Sequence, residues 1–337
     1  MITFSFYNIS KFYIIRAIIF LMILMPVLAY SKPIVFSTNW YAEAEAGGYY
    51  QAVATGIYKK FGLNVKVVQG NADINGQQLL VAGKYQFYMG SAVNNIVAIS
   101  HGLPIVTVAA IFQQSPTCIY THEDITSLNR LNSPKYKILV SANEVNTWWP
   151  WAMHKFGFNP NQRGVYTGSV APFIADKNTA QQGFAGSEGY AIRKAGVKFH
   201  TFILANYGYP DYTLTIETTD AMVKHHPEIV KKFVEATLLG YKSYLENPKP
   251  GNRLIKEVNP KQSDGRLAYG LDAMINDKEL IGKSANSYGI GIMTNSRWKK
   301  IDQIAVENGL VKKSVDYKKA YTLNFICNIH VFVNKHG

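Results

Sequence analysis

The chain has 337 residues, 47% of them hydrophobic, with 35 Lys and Arg against 22 Asp and Glu and a formal charge of +13. That length is generous for one core and comfortable for two, so two α/β lobes are expected. The basic residues lie scattered as pairs such as Lys59-Lys60, Lys231-Lys232 and Lys312-Lys313, not as the stripe that phosphate tracking needs, which argues against a nucleic-acid partner.

Lys11 and Arg16 precede an apolar run over residues 17–27, with small residues at Ala29 and Ser31. This reads as a secretory leader, residues 1–31, cleaved after Ser31, because the run falls short of the roughly 20 residues of a spanning helix. Its removal lowers the formal charge to +11. The run is not followed by a cysteine for lipid attachment, so a free periplasmic product is expected. Cys118 and Cys327 are far apart and are read as single buried thiols.

Residues 34–70 form the organising stretch: a strand over 34–36, a polar and aromatic loop at Asn39, Trp40 and Tyr41, a helix over 45–60 stopped at Gly62, and a strand at Val65, Val67 and Val68. In an open α/β sheet, ligands sit outside the carboxyl ends of strands, which places Asn39 and Trp40 at a site and turns Glu45 toward the same crevice. A short helix over 76–83, a strand over 85–89, a helix over 92–100 and a buried strand over 105–111 continue a doubly wound lobe. Ser91 ends the third strand at the same crevice.

Residues 112–122 carry polar residues and Pro116 between two strand-like pieces and read as a crossover. A second series follows: a strand over 136–140, a helix over 146–156 bearing Trp148, Trp149 and Trp151, a strand over 164–167, turns and short elements over 171–190, and a strand over 200–204. Residues 212–216 are strand-like again and form the return crossing. A long helix over 227–245 starts at Pro227 and ends at Asn247-Pro248. The expected plan is therefore lobe 1 (32–115), lobe 2 (116–215), completion of lobe 1 with C-terminal helices (216–321) and a tail (322–337). Two crossings make a hinge.

Catalytic motifs are weak. His122-Glu123-Asp124 and His225-His226 are sequence neighbours, which point in different directions and do not converge on a metal. Gly289-Ile290-Gly291 lacks the third glycine of a dinucleotide fingerprint. No metal, cofactor or catalytic residue is expected.

The stretches TNWYAEAEAGGYYQAVATGIYKKFGL, GQQLLVAGKYQFYMGSA, IFQQSP, APFIADKNTAQQGFAGSEGYAIRKAG and YGIGIMTNSRW together resemble the THI5/NMT1-like branch of ABC-transporter substrate-binding proteins, from about residue 34 to about 319. The resemblance implies the periplasmic-binding-protein type II fold, a small-molecule solute such as a thiamin pyrimidine precursor, delivery to an ABC permease and ATPase of the inner membrane, no catalysis and a monomer. Riboflavin and sulfonates such as taurine are alternative solutes, and a periplasmic sensor or adaptor is an alternative role. It carries the family's ligand loop onto Asn39 and Trp40 and its acidic pocket position onto Glu188. Trp40, Tyr49 and Trp148 are expected to stack on a ring, and Glu188, Asn39 and Ser91 to read its edge. The related eukaryotic pyrimidine synthase needs a Lys and a His beside the third strand and a cysteine cluster near the return crossing. Here residues 91–96 supply neither group and residues 207–215 contain no cysteine. From Thr322 the tail departs from the pattern, and an altered or disordered segment is expected.

Overall fold

The computed structural model describes residues 33–71, 74–276, 289–313, 315–326 and 330–332; the expected leader and Cys327 lie outside them. The chain runs β1 (Ile34–Ser37), α1 (Gly47–Ala54), α2 (Ile57–Lys60), β2 (Val65–Val68), α3 (Gly76–Val81), β3 (Phe87–Ser91), α4 (Ala92–Ser100) and β4 (Ile105–Phe112). It then crosses into β5 (Thr117–His122), β6 (Lys137–Val140), α5 (Trp148–Phe156), β7 (Arg163–Val165), α6 (Ala171–Ala175), β8 (Thr179–Phe184), α7 (Glu188–Lys194) and β9 (Phe199–Ile203). A second crossing leads to β10 (Thr213–Thr219), α8 (Asp220–His225), α9 (Pro227–Glu246), α10 (Lys249–Val258), α11 (Asp264–Asn276) and α12 (Asn295–Glu307).

Two five-stranded sheets result, ordered β2-β1-β3-β10-β4 and β7-β6-β8-β5-β9. Each holds one reversed strand: β10 runs antiparallel to β3 and β4, and β5 antiparallel to β8 and β9. Both are the first strand after a crossing. A chain arriving from the other sheet enters where the remaining strands finish, so it must run against them. The carboxyl ends of β1, β3, β6 and β8 therefore face one shared gap, where an α/β fold offers backbone and loop groups to a ligand.

Three expectations change. Strand β10 pairs with β3 and β4 from Thr213 onward, so residues 213–215 belong to the first sheet and not to the second lobe. The helix expected over 45–60 is a 3₁₀ turn followed by α1 and α2, the last two separated where Gly56 adopts φ 71°. Residues 179–184 form a full strand, although its sequence TAQQGF reads as polar turns, because Gln181 and Gln182 are buried within the sheet.

Helix α9 buries its apolar face on α1 and the first sheet. A Cβ on Gly47 or Gly48 would lie 2.2 Å from the rings of Tyr244 and Tyr241 respectively, so the two glycines admit α9 at close range. Phe233 stacks on Phe87 with centroids 3.9 Å apart, and Tyr49 on Phe36 at 4.0 Å. Rings of this size each contribute on the order of 1.5–3 kcal/mol by burial. The crossings are tied together by Arg297 of α12, which donates to Pro210 O at 2.5 Å and to Gln113 O at 3.1 Å, its guanidinium 5.3 Å from the Tyr212 ring centroid. The described part of the tail is packed: Phe325, Ile326 and Val331 are buried, and Thr322 N donates to Thr107 O at 3.0 Å.

Candidate functional site

The gap between the sheets holds a cavity of about 410 Å³, within the range of small-molecule sites. The loop after β1 forms one wall. Thr38 Oγ1 donates to Trp40 O at 2.5 Å, Gly70 N donates to the same carbonyl at 3.1 Å, and Ala42 N donates to Gln69 Oε1 at 2.9 Å. A Cβ on Gly70 would sit 2.4 Å from Thr38 O, so glycine is what lets the two loops close on each other. Trp40 is thereby held with its ring facing Tyr166, which follows β7 on the second sheet. The centroids lie 6.3 Å apart with planes 14° from parallel. Gly168, at φ 89°, leaves the space beside Trp40 that a side chain would take.

Carboxylates form the adjoining wall. Glu43, Glu45 and Glu188 all line the cavity, and among the described residues the lining contains no Lys or Arg. Glu188 Oε1 accepts from Tyr166 Oη and Oε2 from Phe184 N, both at 2.8 Å. Burial, reinforced by Glu43, pushes its carboxyl up to about 7 despite those donors. Glu45 is 7% exposed, and its Oε1 has no hydrogen-bond partner. Burial and then the Glu43 charge push it up to about 8. Glu43 is held by Arg266 of α11, which donates to its Oε1 at 2.9 Å and to Ser187 Oγ at 3.2 Å, while Ser187 Oγ donates to Glu43 Oε2 at 2.7 Å. This network joins the first-sheet loop to the turn before α7.

Helix α11 seals the back of the site along a seam of glycines. A Cβ on Gly270 would lie 2.8 Å from Ala44 Cβ, one on Gly186 3.2 Å from Glu45 Oε1, and one on Gly189 2.5 Å from Tyr269 Oη. Gly270 of α11 also meets Gly186 directly, a Cβ on it falling 3.1 Å from Gly186 O, so segments following β1 and β8 both contact this one helix.

Of the six residues the sequence nominates, the structure brings Asn39, Trp40 and Glu188 together on the cavity. Tyr49, Trp148 and Ser91 lie elsewhere. Tyr49 is fully buried between Phe36 and Tyr241. Trp148 is fully buried against Trp149. Ser91 caps α4, its Oγ accepting from Asn94 N at 3.3 Å. The first two face the core because their helices turn their apolar stripes to the sheets; the third is consumed by the helix start. Missed were Glu43 and Tyr166. Glu43 had a signal, an acid two residues before Glu45 in an otherwise small and apolar stretch; Tyr166, one aromatic among 22 tyrosines, had none.

Residues 43–250 match the family model described as NMT1/THI5 like. The chain belongs to the NMT1/THI5-like family. Among relatives of this NMT1/THI5-like protein, the riboflavin-binding protein RibY of Chloroflexus aurantiacus is 24% identical over 291 residues, covering 82% of this chain and 81% of its own. The formylaminopyrimidine-binding protein of Halalkalibacterium halodurans is 24% identical over 226 residues, covering 62% of this chain and 66% of its own. Among solved structures, the periplasmic aliphatic sulphonate-binding protein SsuA of Escherichia coli superposes with a TM-score of 0.63 at 12% identity, over 86% of this chain and 91% of SsuA. The two-sheet architecture is that of the periplasmic-binding-protein fold.

Proposed function

We propose that this NMT1/THI5-like protein is the exported, solute-binding component of an ABC importer, and that it closes on a flat, nitrogen-rich heteroaromatic of the aminopyrimidine class. The observation that carries the reading is the pairing of an aromatic slot with a cluster of buried carboxyl groups, Glu43 paired with Arg266 and Glu45 and Glu188 held above the usual carboxylate range. Carbon faces in contact stand ~3.5–4 Å apart, so a ring between two others needs roughly 7 Å. The 6.3 Å between the Trp40 and Tyr166 ring centroids falls short of that. The two rings follow strands of different sheets, so a small lobe rotation sets that width.

Ring N–H and amino groups would donate to Glu45 Oε1, a buried carboxyl oxygen without a partner, and to Glu188. An aminopyrimidine that arrives protonated would also bring the positive charge that three adjoining carboxyl groups favour. A sulfonate finds the opposite environment, since the described lining of the cavity offers acids and no Lys or Arg. The names of the two relatives, one binding riboflavin and one a formylaminopyrimidine, support a nitrogen heterocycle. In this reading the protein delivers its solute unchanged to a permease and ATPase and acts as a monomer.

Calorimetry with a hydroxymethyl aminopyrimidine, thiamin, riboflavin and taurine tests the proposal. An aminopyrimidine is expected to bind tightest, and Trp40→Ala to weaken it about tenfold, within the roughly 1–2 kcal/mol of a desolvated ring contact. Tight taurine binding, or an unchanged affinity in the variant, overturns it.

A further inference from the structure

The cavity does not end at the carboxylates. Asn94, Val97, Ala98 and His101 all line it, and their spacing i, i+3, i+4, i+7 is a single face of α4. Seven residues at 1.5 Å each make this stripe about 10 Å long. Because α4 follows β3 and doubles back along it, the stripe leads away from the strand ends, out of the gap between the sheets. Ile74, Gly76 of α3, Tyr88 and Leu103 line the cavity too, and Tyr88 and Leu103 pack with Ala98 in one apolar cluster. A Cβ on Gly76 would fall 2.0 Å from the Tyr88 ring, so the glycine lets the start of α3 close onto that ring. Val97, Ala98, Tyr88 and Leu103 give the channel its apolar surface, and Asn75, Gln78, Asn94 and His101 add polar groups to its lining. Gln77 on α3 turns its amide inward to Glu217 Oε2 at 3.0 Å. His101 is exposed, so the channel opens at its outer end.

A single six-membered ring held by Trp40 and Glu188 leaves this channel unused. We infer that the solute is two-ended: a hydrogen-bond-donating heteroaromatic head between Trp40 and Tyr166, joined to an apolar extension that lies along Val97 and Ala98 toward Leu103. The inference rests on the proposed heteroaromatic reading and narrows it, because a bare aminopyrimidine becomes a fragment of the preferred solute.

The test is a series of 4-amino-2-methylpyrimidines whose 5-alkyl substituent grows one methylene at a time, titrated calorimetrically into the purified protein. Affinity is expected to rise about fourfold per methylene, the ratio for moving one CH2 out of water, and to level off when the chain outruns the stripe and reaches the mouth at His101. In Val97→Asp the ratio between the longest and the unsubstituted member is expected to fall toward one. A series that binds but stays flat from the first methylene overturns the channel assignment and leaves the head site standing. A series in which no member binds overturns the head site and the extension with it.

Discussion

Glu45→Gln probes the buried acid at the centre of the site without changing its shape. The carboxyl is held at about 8 instead of 4.5 because burial and Glu43 both oppose its charge. Below pH 4.5 it is protonated in folded and unfolded chains alike, and the substitution has no charge to remove. Between 4.5 and about 8 the unfolded chain releases the proton and the folded chain keeps it, so folding weakens as pH rises. At ~1.4 kcal/mol per pH unit, that interval gives a ceiling of ~5 kcal/mol at pH 9. Water entering the cavity beside Glu45 relieves part of this, and ~2–4 kcal/mol is expected. Urea titration followed by tryptophan fluorescence should therefore show the variant unfolding at a midpoint higher by about 1 M or more at pH 9. At pH 4.5 the two midpoints should coincide. Equal midpoints at pH 9, or a gain already complete at pH 4.5, would refute the claim that this carboxyl is buried and crowded by charge.

Arg266→Ala should loosen the closed arrangement, since it removes the donor shared by Glu43 and Ser187 and leaves the three carboxyl groups uncompensated. Small-angle scattering of the ligand-free variant is expected to show a larger radius of gyration than wild type; an identical curve counts against a bridging role. Gly90→Ala places a methyl 2.1 Å from Glu217 Oε1, in a fully buried spot where that carboxyl already depends on Gln77 and Thr215. A loss of about 2–3 kcal/mol, seen as a Tm lower by roughly 5 °C or more, is expected.

Much of the architecture could be read from residue pattern, because β1, β4 and α9 advertise themselves by continuous or periodic apolar residues. Strand β8 did not, since its two central glutamines are buried by position and not by composition: Gln182 exchanges hydrogen bonds with Ser141 across the sheet, whereas the Gln181 amide is buried without a side-chain partner. The break at Gly56 was visible as a glycine, yet whether a glycine bends a helix depends on what the next turn packs against. At the site, loop position after β1 was enough to place Asn39 and Trp40, and the family resemblance placed Glu188. Aromatic type alone misled at Tyr49 and Trp148, for a ring suited to stacking on a solute is equally suited to filling a core. Tyr166 reaches the cavity through a contact between sheets, a relation that spans 126 positions from Trp40 in the chain and leaves no local trace.

The glycine seam beneath α11 has a mechanical consequence. A joint this close has little room to compress, so any bulkier residue at Gly186, Gly189 or Gly270 would act as a wedge between α11 and the loops it covers. The width of the Trp40 slot then depends on how closely that helix can seat. Residues remote from the solute would set which ring thickness the protein accepts.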